Sequence, residues 1–212
     1  MRTVRLLSIL LAALAVAAPV GVATASSVRA LTRAEYQQLK LAQKRIHSLE
    51  SSDARSFAKA NAVCARLRDV SPLIAAVRGG CLDLIRLGGD DNRLNARATK
   101  CGIDPTSEAA VLTCLVPAVQ SYYRDAEAFY RAETAVDGLA RARGFSSSCV
   151  AVIGDSHRNI AAEGRLARDL KTAVQALGNQ NAQTLQTLTS EIQADIRAIR
   201  PGPSSLSLCP HA

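Results

Sequence analysis

The chain has 212 residues, which is enough for one domain with a hydrophobic core of its own. It contains four tyrosines, three phenylalanines and no tryptophan, and its aromatic residues are not interleaved with a cluster of basic residues. This composition argues against nucleic acid as a partner, because single-strand sites stack bases on aromatic side chains.

The N-terminus has the three parts of a secretory signal peptide. Arg2 and Arg5 are basic, residues 6–22 are apolar apart from Ser8, and residues 23–25 form the small-x-small site that signal peptidase accepts. We predict a signal peptide over 1–25, with retention as a membrane anchor as the open alternative. The 24 basic and 18 acidic residues that remain give a net charge of +6. The mature chain is therefore expected to be secreted or extracytoplasmic.

The first predicted helix begins at a capping box formed by Thr32 and Glu35. Its apolar stripe keeps its phase to about residue 69, so we predict one long helix with a weak point at 51–53 rather than two helices. Ser71 and Pro72 then have the pattern of an N-cap and first helical residue.

Two further breaks precede the central helix. The residues at 88–92 (Gly-Gly-Asp-Asp-Asn) predict that the second helix stops there in a turn, because glycines and capping residues cluster in it. A short helix is predicted at 93–100, and the chain is expected to break again at 101–105.

The longest apolar stripe spans residues 106–144, which also hold four of the seven aromatic residues. This pattern predicts the central helix of the fold. Pro117 lies inside it and predicts a kink, because proline donates no N–H and crowds the preceding turn.

Two more helices follow the break at Gly144. A possible interruption at 154–156 precedes a helix that ends at Gly178, and the last helix runs towards Pro201. Residues 26–203 thus predict an all-α, antiparallel bundle of four to five helices. Residues 204–212 are predicted to be a C-terminal tail tied back by Cys209.

Six cysteines in an exported chain predict three disulfides. The absence of C-x-x-C argues against thioredoxin-like chemistry and zinc knuckles. Cys149 and Cys209 lie equally far along the chain from a turn at Asn179, which predicts that they pair. The other four cysteines allow two schemes. The sequential scheme pairs Cys64 with Cys81 and Cys101 with Cys114, and the nested scheme pairs 64 with 114 and 81 with 101. The sequential scheme is slightly preferred.

No motif with recognisable chemistry is present. Glu-x-x-His and Gly-x-Ser-x-Gly are both absent, and the mature chain has only three histidines. The sequence therefore predicts no enzyme, no metal and no cofactor. Asp155 with His157 is interpreted as a helix start, and Cys209 beside His211 as a disulfide cysteine rather than a metal ligand.

The candidate ligand-binding residues lie on the central helix. They form an aromatic face with one ionisable group, which is typical of small-ligand sites; its members are Tyr122, Tyr123, Glu127 and Tyr130. The more usual interpretation is that these tyrosines straddle the core boundary and that Glu127 pairs with Arg124 or Arg131.

A weaker candidate is the row of basic residues at Arg158, Arg165 and Arg168, which an anionic surface could contact. Because Glu163 and Asp169 lie among them, a solvated helix face is the preferred interpretation.

The leading functional prediction is an exported, non-enzymatic helical bundle, of a type usual in bacteria, that binds a protein partner or an anionic envelope component. The alternative is a small-ligand or cofactor carrier with an inter-helix pocket beside the 106–144 helix.

Overall fold

The computed structural model describes residues 29–46, 54–102, 108–155, 157–199 and 205–211. These residues form an all-α fold, as predicted, and the predicted signal peptide lies outside them. Their one β pairing is an isolated bridge between Leu31 and His211. They form seven α-helices and one turn of 3₁₀-helix (206–208): α1 (Arg33–Ile46), α2 (Ala54–Arg66), α3 (Pro72–Gly102), α4 (Glu108–Ala142), α5 (Ser147–Ile153), α6 (His157–Gly178) and α7 (Ala182–Ala198).

The helices α3 and α4 form a long antiparallel pair at the centre of the fold. Cys101 is bonded to Cys114 near one end of the pair, and Gly80 lies against Glu133 towards the other end. Helix α6 packs on α4 and α7 packs on α6, whereas α1 and α2 pack on α3. The described ranges contain seven helices, against the predicted four to five; α5 is a separate helix, and the residues between α1 and α2 lie outside the described ranges.

The predicted helix stop at 88–92 is wrong, since α3 continues to Gly102. Asp90 is 1% exposed, and the Ser121 hydroxyl of α4 donates to its carboxylate at 3.1 Å. A neighbouring helix thus binds the side chain that would otherwise cap a turn. Contact with α4 also outweighs the cost of about 1 kcal/mol for each glycine in a helix. The short helix predicted at 93–100 is part of α3.

Both predicted helix starts are confirmed by their hydrogen bonds. The Thr32 N–H donates to Glu35 Oε2 at 2.9 Å, and the Glu35 N–H donates to Thr32 Oγ1 at 3.2 Å. Ser71 Oγ accepts from the Ile74 N–H at 3.4 Å, with Pro72 as the first residue of α3. These bonds satisfy N–H groups that have no partner within the first turn of a helix.

Helix α4 is continuous through Pro117 and ends at a Schellman cap. Gly144 has a φ of 76°, which a residue with a side chain rarely adopts. The Phe145 N–H donates to the carbonyl of Ala140 at 3.3 Å, and the Gly144 N–H donates to that of Arg141 at 2.8 Å. The cap turns the chain back so that Phe145 enters the core.

The other predicted boundaries fall close to the observed ones. Helix α3 ends at Gly102, α5 has its C-cap at Gly154, and α6 ends at Gly178. Residues 47–53 lie outside the described residues, so the weak point predicted at 51–53 stays a prediction.

The three disulfides join Cys149 to Cys209 and follow the sequential scheme for the other four cysteines, Cys64 with Cys81 and Cys101 with Cys114. The bond to Cys209 holds the C-terminal tail against α5. The Leu31 N–H also donates to the carbonyl of Pro210 at 2.8 Å, so the tail is fixed to the chain just before α1.

The largest hydrophobic cluster lies where α1, the start of α3, the end of α4 and α5 meet, and its fully enclosed members include Leu31, Ile74, Val136 and Cys149. A second cluster between α4 and α6 contains Tyr122 and Leu166. None of the helices within the described ranges is both long and apolar enough to cross a membrane.

Candidate functional site

The four candidate residues of α4 have different environments. Tyr122 is 8% exposed and packs in the cluster with Leu166 and Leu170 of α6. The ring of Tyr130 lies against Gly164, where an added Cβ would come within 2.9 Å of it. These two tyrosines therefore hold α4 and α6 together.

Tyr123 and Glu127 form a small polar group on the partly exposed side of α4. Burial and the neighbouring Glu127 raise the pKa of the Tyr123 hydroxyl. The hydrogen bond from Tyr123, together with the Arg131 guanidinium, lowers the pKa of Glu127. Arg131 Nη2 lies 2.5 Å from Glu127 Oε1, which is one of the two pairings considered from the sequence. This arrangement is that of a core boundary with an ion pair beside it.

The basic row on α6 is also not uniform. All three arginines are exposed, and Arg165 Nε also donates to Asp195 of α7 at 2.8 Å. Glu163, which was predicted to share this solvated face, is only 3% exposed. That part of the prediction is wrong, because the side chain of Glu163 lies within the contact between helices.

Two possible metal sites were considered from the sequence, Cys209 with His211 and Asp155 with His157. Cys209 is in a disulfide, and the His211 ring stacks on Tyr36 with the ring centroids 4.4 Å apart. The side chain of His157 lies outside the described structure. Among the described residues, no group of three or more histidines, cysteines or acids has an arrangement that could hold a metal ion.

A groove of about 390 Å³ lies at the end of α4, away from the four candidate residues. Its apolar wall includes Leu73 and Leu139, and its polar rim includes Arg29 and Ser71. This volume falls in the range of small-ligand sites.

The strongest feature of the surface is an uneven distribution of charge that the sequence reasoning missed. Residues 26–70 contain nine basic and four acidic residues, a net charge of +5, whereas residues 71–212 contain fifteen basic and fourteen acidic residues, a net charge of +1. The segment that forms α1 and α2 thus carries almost all of the net charge of residues 26–212. Counting charge by segment rather than over the whole chain would have found it.

The structure accentuates this asymmetry. The two described acids of the segment are each paired with an arginine from elsewhere: Glu35 with Arg143, and Asp69 with Arg78 at 2.9 Å. The basic residues of the segment whose side chains are described are all exposed. We call them the α1–α2 basic surface: Arg29, Arg33, Lys40, Lys59, Arg66 and Arg68.

The basic side chains follow the outer faces of the two helices. Arg33 and Lys40 are seven residues apart, as are Lys59 and Arg66, so each pair lies on one side of its helix. The ion pairs within the described part of the chain do not involve any of these side chains. Leu41 is 52% exposed beside Lys40, which adds an apolar contact to the surface.

Comparison with known proteins gives no functional assignment: no family model, curated protein or solved structure matches this chain.

Proposed function

We propose that the protein is an exported, non-enzymatic helical bundle that binds an anionic component of the cell envelope through the α1–α2 basic surface. The observation that carries the proposal is the net charge of +5 on residues 26–70, against +1 on the rest of the mature chain. Export is supported by the signal-peptide pattern and by three disulfides, which persist in oxidising compartments.

The chemistry of the surface suits phosphate or carboxylate groups repeated over a polymer or a lipid surface. Arginine donates paired hydrogen bonds to such anions, and lysine adds a mobile point charge. Each basic residue close to an anionic lipid surface contributes about 1 kcal/mol. The stable scaffold beneath keeps α1 and α2 together, since both pack on α3.

Charge reversal at four positions tests the proposal. The variant Arg33→Glu, Lys40→Glu, Lys59→Glu and Arg66→Glu should bind vesicles of phosphatidylglycerol and phosphatidylcholine roughly a thousandfold more weakly than the parent, from about 1 kcal/mol per residue. Cosedimentation measures this binding. Vesicles of phosphatidylcholine alone should bind neither protein.

A matched control separates location from total charge. Four exposed basic residues outside the segment are changed to Glu, which gives the same net charge as the first variant; they are Arg124, Arg158, Arg168 and Lys171. If both variants lose binding equally, the α1–α2 surface is not the site. Heparin, a soluble polyanion, tests whether a membrane is needed: a protein that binds the vesicles but not heparin requires a lipid surface.

A small-ligand carrier is the second candidate, favoured by the groove at the end of α4. This places the site beside Leu139 and Ala142 rather than beside Tyr122. Native mass spectrometry of the purified protein should then show retained small-molecule mass that Leu139→Arg abolishes. A bare mass for the parent would refute the carrier.

A further inference from the structure

Two buried glutamates meet where α4 contacts the junction between α5 and α6. Glu133 of α4 is 9% exposed and Glu163 of α6 is 3% exposed. A Cβ added at Gly80 would lie 3.0 Å from Glu133 Oε1, and one added at Gly154 would lie 2.9 Å from Glu133 Oε2. The Glu133 carboxyl is therefore enclosed between the backbones of α3 and the end of α5.

Three of the four oxygens of these carboxyls lack the partners that buried charges need. Glu133 Oε2 and both carboxyl oxygens of Glu163 accept no hydrogen bond within the described residues. Neither glutamate is paired with a lysine or arginine in that part of the chain. A buried, unpaired carboxylate is so unfavourable that the group takes up a proton instead.

The surrounding charges also favour protonation of the two glutamates. Burial and the charge of Asp155 raise the pKa of Glu133 to about 7, although the Asp155 N–H donates to it and opposes the rise. Burial, then Asp155, then Glu133 raise the pKa of Glu163 to about 9. The Asn159 amide donates to Asp155 Oδ1 at 2.5 Å. The uncharged backbones of Gly80 and Gly154 also lie close to the Glu133 carboxyl.

We propose that Glu133 and Glu163, together with Asp155, form a proton-operated latch that holds the α5–α6 junction against α4. When both glutamates are protonated, the latch is closed, and the Glu163 carboxyl can donate to Asp155. When they ionise, three negative charges share one enclosed site and the junction loosens.

The sign of the effect follows from linkage. Both folded-state pKa values are raised above 4.5, so the folded state holds protons that the unfolded chain has released. Their contribution to stability is therefore fully present below pH 4.5 and is lost as the pH rises from 4.5 to 7 for Glu133 and from 4.5 to 9 for Glu163. Within this window, each group changes the unfolding equilibrium constant by about tenfold per pH unit.

The direct test is a titration of the wild-type protein followed by ¹³C NMR of the glutamate carboxyls. Glu133 and Glu163 are expected to titrate near pH 7 and 9. Titration of both buried groups near pH 4.5 would overturn the proposal.

Urea unfolding measured at several pH values between 5.5 and 6.5 supplies the second test. The double variant Glu133→Gln and Glu163→Gln replaces each protonated carboxyl by a neutral group of the same shape. It should release about two fewer protons on unfolding than the wild-type protein does, so that its stability depends less on pH. The control Glu191→Gln should keep the wild-type dependence, and an unchanged slope in the double variant would refute the latch.

Hydrogen exchange locates the opening. After correction for intrinsic rates, amides of α5 and the start of α6 should lose protection between pH 5.5 and 8.5, while amides near the disulfide of Cys64 and Cys81 keep theirs. Uniform loss in both places would contradict a local latch. Stabilisation by added Ca²⁺ or Mg²⁺ at pH 8.5 would show a cation site in place of the proton latch.

Discussion

The ion pair between Glu35 and Arg143 allows the most quantitative prediction. Arg143 Nη1 lies 2.6 Å from Glu35 Oε1, and Arg143 Nη2 also donates to the carbonyl of Ala30 at 3.0 Å. The guanidinium carbon lies 5.1 Å from the centre of the Phe145 ring. This one side chain therefore connects the end of α4 to the start of α1.

Removing it should leave a buried charge without its partner. Glu35 is 3% exposed, and breaking a buried pair by removing one member costs about 3–5 kcal/mol. The pKa gives a consistent magnitude. Burial alone would raise it, but hydrogen bonds from Arg143 and Ser71 lower it from 4.5 to about 2, which corresponds to roughly 3 kcal/mol. We therefore expect Arg143→Ala to lose about 3 kcal/mol at pH 7.

Urea unfolding followed by circular dichroism at pH 7 measures this loss. The matched control is Arg141→Ala, two residues earlier, because Arg141 pairs with Asp137 on the exposed side of the same helix. That variant should be indistinguishable from the parent, since exposed pairs contribute little. A loss below about 1 kcal/mol in Arg143→Ala would refute the reasoning.

The pH dependence gives an internal check on the same variant. Because the folded-state pKa of Glu35 is lowered, its contribution is present above pH 4.5 and is lost as the pH falls towards 2. Arg143→Ala should therefore be less sensitive to acid than the parent over this range. Equal sensitivity would mean that another group controls acid unfolding.

Two other predictions concern packing and covalent links. Gly154→Ala should destabilise the protein by about 1–3 kcal/mol, because the new methyl would come within 2.6 Å of a core valine. A methyl at Gly79 would have nothing within 4 Å, so Gly79→Ala should stabilise the helix by up to about 1 kcal/mol. Thermal unfolding compares the two variants, and equal effects would contradict the packing at Gly154. Replacing Cys149 and Cys209 by alanine opens a link across 60 residues and should cost about 1 kcal/mol more than opening the 13-residue link between α3 and α4. The reverse order would show that chain entropy does not determine their contributions.

Local chemistry allowed the helix ends to be predicted, and tertiary contacts explain where prediction failed. Thr32 and Gly144 form their caps within a few residues of sequence, so a short pattern identifies them. Asp90 looks equally like a turn residue, but Arg93 and Ser121 bind its carboxylate inside a continuous helix. The sequence around Asp90 does not show whether the chain turns there or continues as a helix.

The charged segment and the buried glutamate pair also differ in whether the sequence alone could predict them. The charge of residues 26–70 is a property of composition and could be read from the sequence alone. The buried pair could not, because Glu133 and Glu163 lie on different helices and a glutamate in a helix ordinarily favours an exposed position. Only the close approach of α4 to the α5–α6 junction, through Gly154, encloses them.

Lysine footprinting tests the proposed surface most directly. The protein is acetylated with and without vesicles of phosphatidylglycerol and phosphatidylcholine, and each lysine is quantified by mass spectrometry. Four exposed lysines report on different faces. We predict protection of Lys40 and Lys59 at low salt, with Lys100 and Lys171 unchanged, and loss of that protection at 1 M salt, where the Debye length is about 3 Å. Equal protection of all four, or protection of Lys100 and Lys171 alone, would contradict binding through α1 and α2.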